Sequence, residues 1–251
     1  MNITGNTILI TGGGSGIGRA LAEALHAKGN QVIISGRRER LLDEVTAANP
    51  GMESIVLDIQ DKADIAAFAR DAVARFPALN VVINNAGIMK DEDVTATEDH
   101  LAIAEETIVT NLLGPIRLTA ALLPHLLRQP QSTLMTVSSG LAFVPMVVTP
   151  TYSATKAAIH SYSMALRAQI AGTSTQVIEL APPYVQTELR GPEQAVDPMA
   201  MPLADFIAEV MTILETQADA HEVIVERCKP LRFAAENGNL AGVFAMLNGL
   251  H

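Results

Sequence analysis

The sequence is poor in cysteine: Cys228 is the single one among 251 residues. A disulfide within the chain is therefore impossible, and this usage suits a reducing compartment. The six histidines are scattered along the chain. Because a metal site needs several such ligands brought together, we expect no metal in this protein.

The sequence also lacks the long hydrophobic runs of a membrane protein. No uncharged apolar stretch reaches about 18 residues, the length at which a transmembrane helix would be expected. Met1 leads straight into the first predicted strand, with no basic and then apolar leader. We therefore expect a cytoplasmic protein.

Basic residues are few as well: 17 Lys and Arg stand against 27 Asp and Glu, which gives a formal net charge of −10. Nucleic acids and anionic membranes attract proteins of the opposite charge. The acidic balance argues against a nucleic-acid partner and, less strongly, against a membrane surface.

Apolar residues, by contrast, are plentiful and fall in short runs. They make up 49% of the chain, enough for one well-buried domain spanning 1–251. The runs alternate with helical patterns, which predicts a doubly wound α/β fold: a parallel sheet of about seven strands with helices on both faces, the Rossmann arrangement. The predicted strands are Thr7–Ile10, Gln31–Ser35, Ser54–Leu57, Val81–Ile83, Thr133–Val137, Gln176–Leu180 and Glu222–Val225. The predicted helices are Arg19–Lys28, Leu41–Ala48, Ile65–Phe76, Leu101–Arg128, Ala154–Ile170 and Leu203–Leu214.

A glycine-rich turn follows the first predicted strand: Thr11–Gly18 reads TGGGSGIG. Missing side chains let the backbone and a helix N-terminus approach a diphosphate. The spacing G-x-x-x-G-x-G departs from the usual dinucleotide pattern, and as a bare string it is a flexible turn about as often as a nucleotide site. Its place between a strand and a helix favours the nucleotide site. The residues assigned to that site are Gly12, Gly14, Ser15, Gly16, Ile17 and Gly18.

The end of the second predicted strand indicates which nucleotide is bound. An NAD site usually carries a carboxylate here, about 20 residues past the glycines, to hold the ribose 2′-hydroxyl. This chain has Gly36 followed by Arg37 and Arg38. Guanidinium groups suit a 2′-phosphate, whereas cations at the start of a helix oppose its dipole. A solvated helical turn is the alternative, and we predict NADP(H).

Four polar side chains form the candidate catalytic set. Tyr152 and Lys156 in YSATK are four residues apart on a predicted helix and share a face. Ser139 follows an apolar strand, at the sheet edge where α/β proteins bind ligands. Asn111 lies inside the long predicted helix, a poor place for asparagine on propensity alone. Each residue also has a purely structural alternative. Tyr152 and Lys156 could lie on an exposed helix face, Ser139 could belong to a Ser-Ser-Gly turn, and Asn111 could make a buried polar contact.

Together these motifs resemble the short-chain dehydrogenase/reductase family in its compact single-domain form. The resemblance runs essentially end to end, and Ser139 stands thirteen residues before Tyr152, as the family requires. It implies hydride transfer between a nicotinamide and a carbonyl or alcohol. The matching segments are TGGGSGIG, Asn84–Gly87, Asn111, Ser138–Ser139, YSATK and Pro182–Thr187.

The resemblance implies a role for each catalytic residue. Tyr152 would donate the proton in reduction and accept it in oxidation. A free phenol has a pKa of about 10, and we expect the Lys156 ammonium and the positive nicotinamide ring to lower it. Lys156 would also hold the ribose hydroxyls. Ser139 would hydrogen-bond the carbonyl oxygen as charge develops, and Asn111 would hold a water that links Lys156 to solvent.

Further cofactor contacts follow from the same resemblance. Asn85, Ala86 and Gly87 would lie beneath the adenosine and ribose. Asp58, with Ile59, would meet the adenine amino group, while an N-cap role in the next helix is the alternative for Asp58. The contacts to the nicotinamide carboxamide are assigned to Pro182, Val185 and Thr187.

The chain departs from the family pattern at Pro183, where the family has glycine. Proline fixes φ and removes an N–H beside the nicotinamide, so we expect an altered pocket. A methionine-bearing, proline-containing lid is predicted at about 188–205. Because no charged residue is obviously placed to clamp a carboxylate, a medium-sized, fairly apolar ketone, aldehyde or secondary alcohol is expected. The predicted pocket residues are Leu141, Phe143 and Tyr184.

Two other functions compete with the reductase. A non-catalytic nucleotide sensor on this fold would typically lose Tyr152 or Lys156. A lyase or dehalogenase sharing Ser139 and Tyr152 should lose the glycine loop. Because the chain keeps all of these residues, the NADP(H)-linked reductase is favoured.

Apolar residues on the predicted helices Leu101–Arg128 and Ala154–Ile170 spread wider than one core stripe needs. A monomer would then expose a large apolar patch. In the family these helices pair across a two-fold axis, so we predict a homodimer or a homotetramer. The apolar segment Asn239–Leu247 is expected to cover a pocket, either its own or that of a neighbouring subunit.

Overall fold

The computed structural model describes residues 1–96 and 100–250. Within these residues seven parallel strands form one sheet in the order β3-β2-β1-β4-β5-β6-β7. The predicted doubly wound sheet is confirmed, with strand ends that differ from the prediction by at most two residues. The strands are β1 (Thr7–Thr11), β2 (Gln31–Gly36), β3 (Glu53–Val56), β4 (Leu79–Asn84), β5 (Ser132–Val137), β6 (Thr175–Leu180) and β7 (Glu222–Val223).

Helices cover both faces of the sheet because the strands are apolar on both sides. Ile8 and Ile10 of β1 point into one core, and Leu9 between them points into the other. The first core lies under α1 and α7, and the second under α3, α5 and α6. The helices are α1 (Gly16–Ala27), α2 (Glu39–Ala48), α3 (Lys62–Arg75), α4 (His100–Ile108), α5 (Gly114–Leu126), α6 (Pro150–Gln169), α7 (Leu203–Thr216), α8 (Lys229–Arg232) and α9 (Leu240–Leu247).

The long predicted helix Leu101–Arg128 is interrupted in the structure. A π-helical turn, Val109–Leu113, joins α4 to α5 and contains Asn111. The prediction of one regular helix was therefore wrong at this turn, which is a common form of irregularity at functional sites. By length and composition alone the whole span His100–Leu126 could cross a membrane. It is a core helix here, since its apolar side chains pack beneath the sheet at Leu118, Leu122 and Leu126.

The strand order reverses direction between β1 and β4, which are neighbours in the sheet. In an open α/β sheet the chain connections leave in opposite directions at such a point, and a crevice opens beyond the carboxyl ends of the strands. The glycine loop follows β1, and Asn85–Gly87 follows β4. Both predicted nucleotide-binding segments therefore meet at this crevice.

The C-terminal segment packs back on its own chain. Val243 of α9 shares a small core with Val144 and Ala234. Asn248 Oδ1 accepts a hydrogen bond of 2.8 Å from Val147 N, and its Nδ2 donates one of 3.1 Å to Pro145 O. The segment therefore packs against the Val144–Val147 turn of its own chain.

Candidate active site

The glycine loop fits closely against the end of β4. Gly12 has a φ of +70°, and a Cβ there would lie 3.0 Å from Ala86 Cα. A Cβ on Gly18 would lie 2.4 Å from Gly12 O, too close for any side chain. Thr11 Oγ1 accepts hydrogen bonds of 3.0 Å from the amides of Asn85 and Ala86. The loop is thus fixed at the crevice with its backbone uncovered by side chains.

Arg38 lies beside this loop. Its guanidinium donates a 3.0 Å hydrogen bond to Ser15 Oγ. Both Arg37 and Arg38 are exposed at the carboxyl end of β2, next to Gly36. The structure therefore brings Arg38, one of the two predicted phosphate-binding cations, to the glycine loop.

Asp58 does not cap the helix that follows it. The Asp61 carboxylate accepts hydrogen bonds from the first-turn amides of α3 and is its N-cap, so the N-cap alternative for Asp58 was wrong. Asp58 Oδ1 instead accepts a 3.0 Å bond from Gln60 N. The Ile59 side chain is buried in the core, where a Cβ on Gly114 would meet it at 2.6 Å.

Tyr152 and Lys156 are buried on the inner face of α6. Lys156 Nζ donates a 2.8 Å hydrogen bond to Val137 O and lies 5.5 Å from the centre of the Tyr152 ring. Ser139 lies just beyond β5, and its Oγ accepts a 3.1 Å bond from Leu141 N. The exposed-face alternative for the Tyr-Lys pair was wrong.

Burial dominates the titration of this pair. It raises the pKa of Tyr152 to about 12, while the neighbouring Ser139 hydroxyl acts in the opposite direction. It also lowers the pKa of Lys156 to about 8, against the attraction of Glu179. A lowered phenol pKa was expected from the ammonium together with the positive nicotinamide ring. In the protein without that ring the pKa is raised, because desolvation disfavours the charged form of the phenol.

Asn111 is paired with the segment after β4. Its Oδ1 accepts a 2.9 Å bond from Ile88 N, and its Nδ2 donates a 2.8 Å bond to Ile88 O. A Cβ on Gly87 would lie 3.3 Å from Asn111 Oδ1 and 3.7 Å from Lys156 Nζ. The predicted residues do converge, and the Asn111 side chain makes the buried polar contact that was its alternative role.

The segment after β6 is held in place by a residue that sequence reasoning missed. Gln194 Nε2 donates a 2.8 Å bond to Val185 O and a 3.1 Å bond to Thr187 Oγ1. Pro182 O accepts a 2.8 Å bond from Gly140 N, which ties this segment to the turn after Ser139. Gln194 could not be found from the sequence because glutamine in a loop carries no motif.

The segment 188–205 is fastened at both ends. Tyr184 donates a 3.0 Å hydrogen bond to Asp197 Oδ2, and Val185 forms a β-bridge with Met201. Arg190 makes a two-pronged ion pair with Asp91, of 2.7 and 2.8 Å, across to the segment after β4.

Comparison with known proteins decides the family. The sequence profile described as short chain dehydrogenase matches residues 6–197. The chain belongs to the short-chain dehydrogenase family. It is thus an oxidoreductase of that type, on the fold that the family shares.

Both curated proteins and solved structures resemble the chain over most of its length. The uncharacterized oxidoreductase DltE of Bacillus subtilis (strain 168) is 44% identical over 189 residues, 75% of each chain. A short-chain dehydrogenase from Streptomyces avermitilis has 27% identity and a TM-score of 0.83, with 96% of both chains covered. One from Burkholderia cenocepacia J2315, solved in complex with NADP, has 25% identity and a TM-score of 0.82, with 98% of this chain and 99% of that one covered.

This short-chain dehydrogenase has a carboxylate at the start of α6, the helix that carries Tyr152 and Lys156. Glu92, which is buried, accepts a 3.1 Å bond from Thr151 N and a 2.6 Å bond from Thr151 Oγ1. It satisfies a first-turn amide of α6 one residue before Tyr152, and its charge suits the helix dipole. The sequence does not show this contact because the two residues are 59 positions apart.

Phe143 is half-buried between His160 and Arg232. Its ring meets the His160 ring edge-on, with 4.8 Å between centroids, and the Arg232 guanidinium lies 4.7 Å from its centre. Within the predicted pocket it can serve only as a fixed wall.

Three side chains of the types that bind metal ions lie close together, at His160, Glu179 and Glu222. Their potential ligand atoms lie within 4.8 Å of one another. The sequence analysis did not predict this cluster, because the histidines are scattered along the chain. Arg232 Nε donates a 2.7 Å bond to Glu222 Oε2, so a guanidinium already serves part of this cluster. Cys228 is fully buried nearby, and burial raises the pKa of its thiol to about 12.

Proposed function

We propose that the protein is an NADP(H)-dependent oxidoreductase of the carbonyl reductase or alcohol dehydrogenase type. It transfers a hydride between nicotinamide and a carbonyl or secondary alcohol of a medium-sized, fairly apolar substrate. The observation that carries this proposal is the buried Tyr152–Lys156 pair beside Ser139, at the carboxyl edge of the sheet. The chain is proposed to act as one domain, 1–251, in the cytoplasm.

The residues present fit a dinucleotide. The glycine loop leaves no room for a Cβ at Gly18, and the first turn of α1 carries no acidic side chain. Amides at a helix start and a side-chain-free loop are what a diphosphate needs. Bound NADP(H) would supply the hydride. The residues proposed to hold it are Gly12, Gly14, Ser15, Gly16, Ile17, Gly18, Arg37, Arg38, Asp58, Ile59, Asn85, Ala86, Gly87, Tyr152, Lys156, Pro182, Val185 and Thr187.

The proton chemistry is assigned to the chain's own side chains. The Tyr152 hydroxyl donates to the substrate oxygen, and Ser139 hydrogen-bonds the same oxygen as negative charge grows on it. A phenol whose pKa is raised to about 12 stays protonated at neutral pH and suits the donor role in reduction. Lys156, as ammonium, stabilises the phenolate left behind.

Asn111 is proposed to serve Lys156 through its backbone. Its side-chain oxygen and amide are both engaged with Ile88. The π turn alters the backbone path at this position, and a carbonyl freed from the regular helix pattern can hold a water. We therefore assign the water-mediated link to solvent to this turn and not to the amide side chain.

Substrate selection is assigned to the cleft edges. Leu141 and Tyr184 would contact the substrate, with Phe143 as a fixed wall, and the segment 188–205 would be the lid. The Arg190–Asp91 pair supports this proposal, since it joins the segment to the opposite side of the crevice. Consumption of NADPH by the pure protein against a panel of ketones and aldehydes tests the function directly. Failure of every compound, under conditions in which NADPH binds, would contradict it.

Cofactor choice gives a sharper prediction. We expect NADPH to exceed NADH by at least about tenfold in kcat/KM, which corresponds to about 1.4 kcal/mol. Arg38→Ala should remove most of this preference, because its guanidinium lies at Ser15 of the glycine loop. Arg37→Ala should act in the same direction. Initial rates with both cofactors measure the ratio.

Arg40→Ala is the matched control for cofactor choice. Arg40 belongs to the same run of arginines but pairs with Glu44 on the outer surface of α2. Its loss should leave the NADPH/NADH ratio unchanged. Equal use of both cofactors by the wild type would refute the assignment. The neighbour from Burkholderia cenocepacia was solved with NADP and one from Burkholderia phymatum with NAD, so the arginines carry the argument.

We propose that the protein forms a homo-oligomer, because apolar side chains on α4 and α6 are exposed to solvent. Leu101 and Ile108 of α4 and Met164 of α6 are exposed, beside exposed small residues at Ala154 and Ala157. An apolar surface of this kind usually marks a protein contact. We therefore expect a homodimer or homotetramer by light scattering at micromolar concentration. A measured mass near 26.6 kDa would overturn this prediction.

A further inference from the structure

Glu179 is a fully buried carboxylate with an incomplete set of partners. It lies on β6, and its Oε2 is 2.8 Å from His160 Nδ1 on α6. Its Oε1 has no hydrogen-bond partner among residues 1–96 and 100–250. A buried carboxylate is costly unless a cation or several donors balance it. The fold therefore must supply a positive charge close by.

The nearest guanidinium is already engaged. Arg232 donates to Glu222 at 2.7 and 3.1 Å and also pairs with Glu236. Three basic side chains of α6 reach this part of the sheet. Arg167 is engaged by the carbonyls of Val177 and His221, which leaves two. His160 touches Glu179 directly and is charged only when protonated. Lys156 is the other.

The sheet register places Lys156 close to Glu179. Lys156 Nζ is held by Val137 O on β5. Val137 pairs with Leu180 on β6, and Leu180 is the next residue after Glu179. On α6, Lys156 precedes His160 by four residues and so shares its face. The carboxylate that His160 contacts thus lies on the strand next to the Val137 carbonyl that holds the Lys156 ammonium.

We propose that Glu179 is a positioning residue: the buried counter-charge that keeps Lys156 in the ammonium form, with His160 holding the carboxylate in place. What this does for catalysis rests on the proposed function, since it is the charged Lys156 that stabilises the Tyr152 phenolate. The effect is electrostatic and acts through Lys156. Glu179 itself need not touch substrate or cofactor.

The surrounding charges leave Glu179 as the carboxylate that interacts electrostatically with Lys156. Glu222 is already paired with Arg232, and the Cys228 thiol is kept uncharged, since burial raises its pKa to about 12. Glu179 is the charge that opposes the desolvation of Lys156. The titratable and charged groups on the elements around this site include Tyr152, His160 and Arg167 from α6, Glu179 from β6, His221 and Glu222 at β7, and Cys228, Arg232 and Glu236 from the C-terminal segment.

The charge state of Lys156 can be measured without any substrate. The chain has five lysines, so NMR of lysine labelled with ¹³C at Cε gives a small set of resonances, and Lys156→Arg assigns the one of interest. In the wild type this resonance should titrate with a pKa of about 8. In Glu179→Gln the midpoint should fall by about one pH unit or more, because the neutral amide no longer attracts the ammonium. An unchanged midpoint would overturn the proposal.

Glu222→Gln is the matched control. It removes a carboxylate from the same cluster, on the neighbouring strand, but one that already belongs to Arg232. The Lys156 midpoint should stay where it is in the wild type. A shift as large as that in Glu179→Gln would mean that any disturbance of the cluster moves Lys156, and the specific role of Glu179 would be lost.

A second variant covers the case in which Glu179→Gln does not fold. Replacing both members of a buried pair by apolar residues is often neutral for stability, so Glu179→Leu with His160→Leu is expected to fold. The Lys156 midpoint should fall as in Glu179→Gln. A midpoint at the wild-type value would refute the proposal.

The pH dependence of kcat/KM tests whether Glu179 affects catalysis through Lys156. For reduction, the alkaline limb of kcat/KM should move to lower pH in Glu179→Gln, whereas a purely structural defect would lower the rate at all pH values alike. A shifted Lys156 midpoint in a protein that reduces no carbonyl compound would support the counter-charge and contradict the proposed function. A shifted midpoint with an unmoved pH profile would contradict the catalytic consequence.

Discussion

Tyr152→Phe is expected to lower kcat by about a thousandfold, within the range that a general acid contributes. The phenyl ring fills the same buried space on α6, while the hydroxyl that serves the substrate oxygen is gone. NADPH binding should change by no more than about twofold, because the hydroxyl acts on the substrate. Steady-state rates and a fluorescence titration with NADPH measure the two effects.

Tyr162→Phe is the control for this experiment. It removes a phenol from the same helix, at a half-buried position near Thr119 where burial raises the pKa of the phenol. It should keep nearly full activity. Retention of more than a few per cent of activity by Tyr152→Phe would end the assignment of this residue as the proton donor.

Lys156→Ala is expected to damage both turnover and cofactor binding. The variant loses the cation that stabilises the phenolate and the donor proposed for the ribose hydroxyls. Hydrogen bonds from a charged group contribute about 1.5–3 kcal/mol, so the dissociation constant for NADPH should rise by at least about tenfold. The loss of kcat should be similar in size to that in Tyr152→Phe.

Lys62→Ala serves as the matched control, since Lys62 is exposed in the first turn of α3. It should leave both quantities unchanged. Undiminished NADPH binding in Lys156→Ala would remove Lys156 from the ribose contact, while leaving its part in proton transfer open to the kinetic measurement.

The sequence of strands and helices along the chain could be predicted because each element has a local signal in the sequence. Short β-branched runs such as Val32–Ile34 define strands by themselves, and glycine between a strand and a helix fixes the first turn. The π turn at Val109–Leu113 carries no such signal, so the predicted regular helix was wrong there. Asp58 and Asp61 are chemically alike, and only the structure shows that Asp61 is the cap.

The side-chain contacts around the catalytic helix could not be predicted. Glu92 reaches Thr151 across 59 residues, and His160 reaches Glu179 between a helix and a strand whose relative register no local pattern sets. Burial also reversed the expected effect on the phenol. Its size depends on how completely the fold excludes water from Tyr152, a property of packing that a motif does not encode.

Because Cys228 is buried, the chain's only thiol can serve as a probe of local unfolding. Its sulfur lies against the turn at Gly140, where a Cβ would come within 3.2 Å of it. Alkylating reagents need both access and a thiolate, and the native thiol offers neither. The labelling rate of the native protein would therefore report the openings that lift the segment between β7 and α8 from the core. It equals the opening rate where alkylation outpaces reclosing, and it is proportional to the open population where reclosing is faster. Since each chain can take up a single label, intact mass spectrometry would give the labelled fraction directly over time.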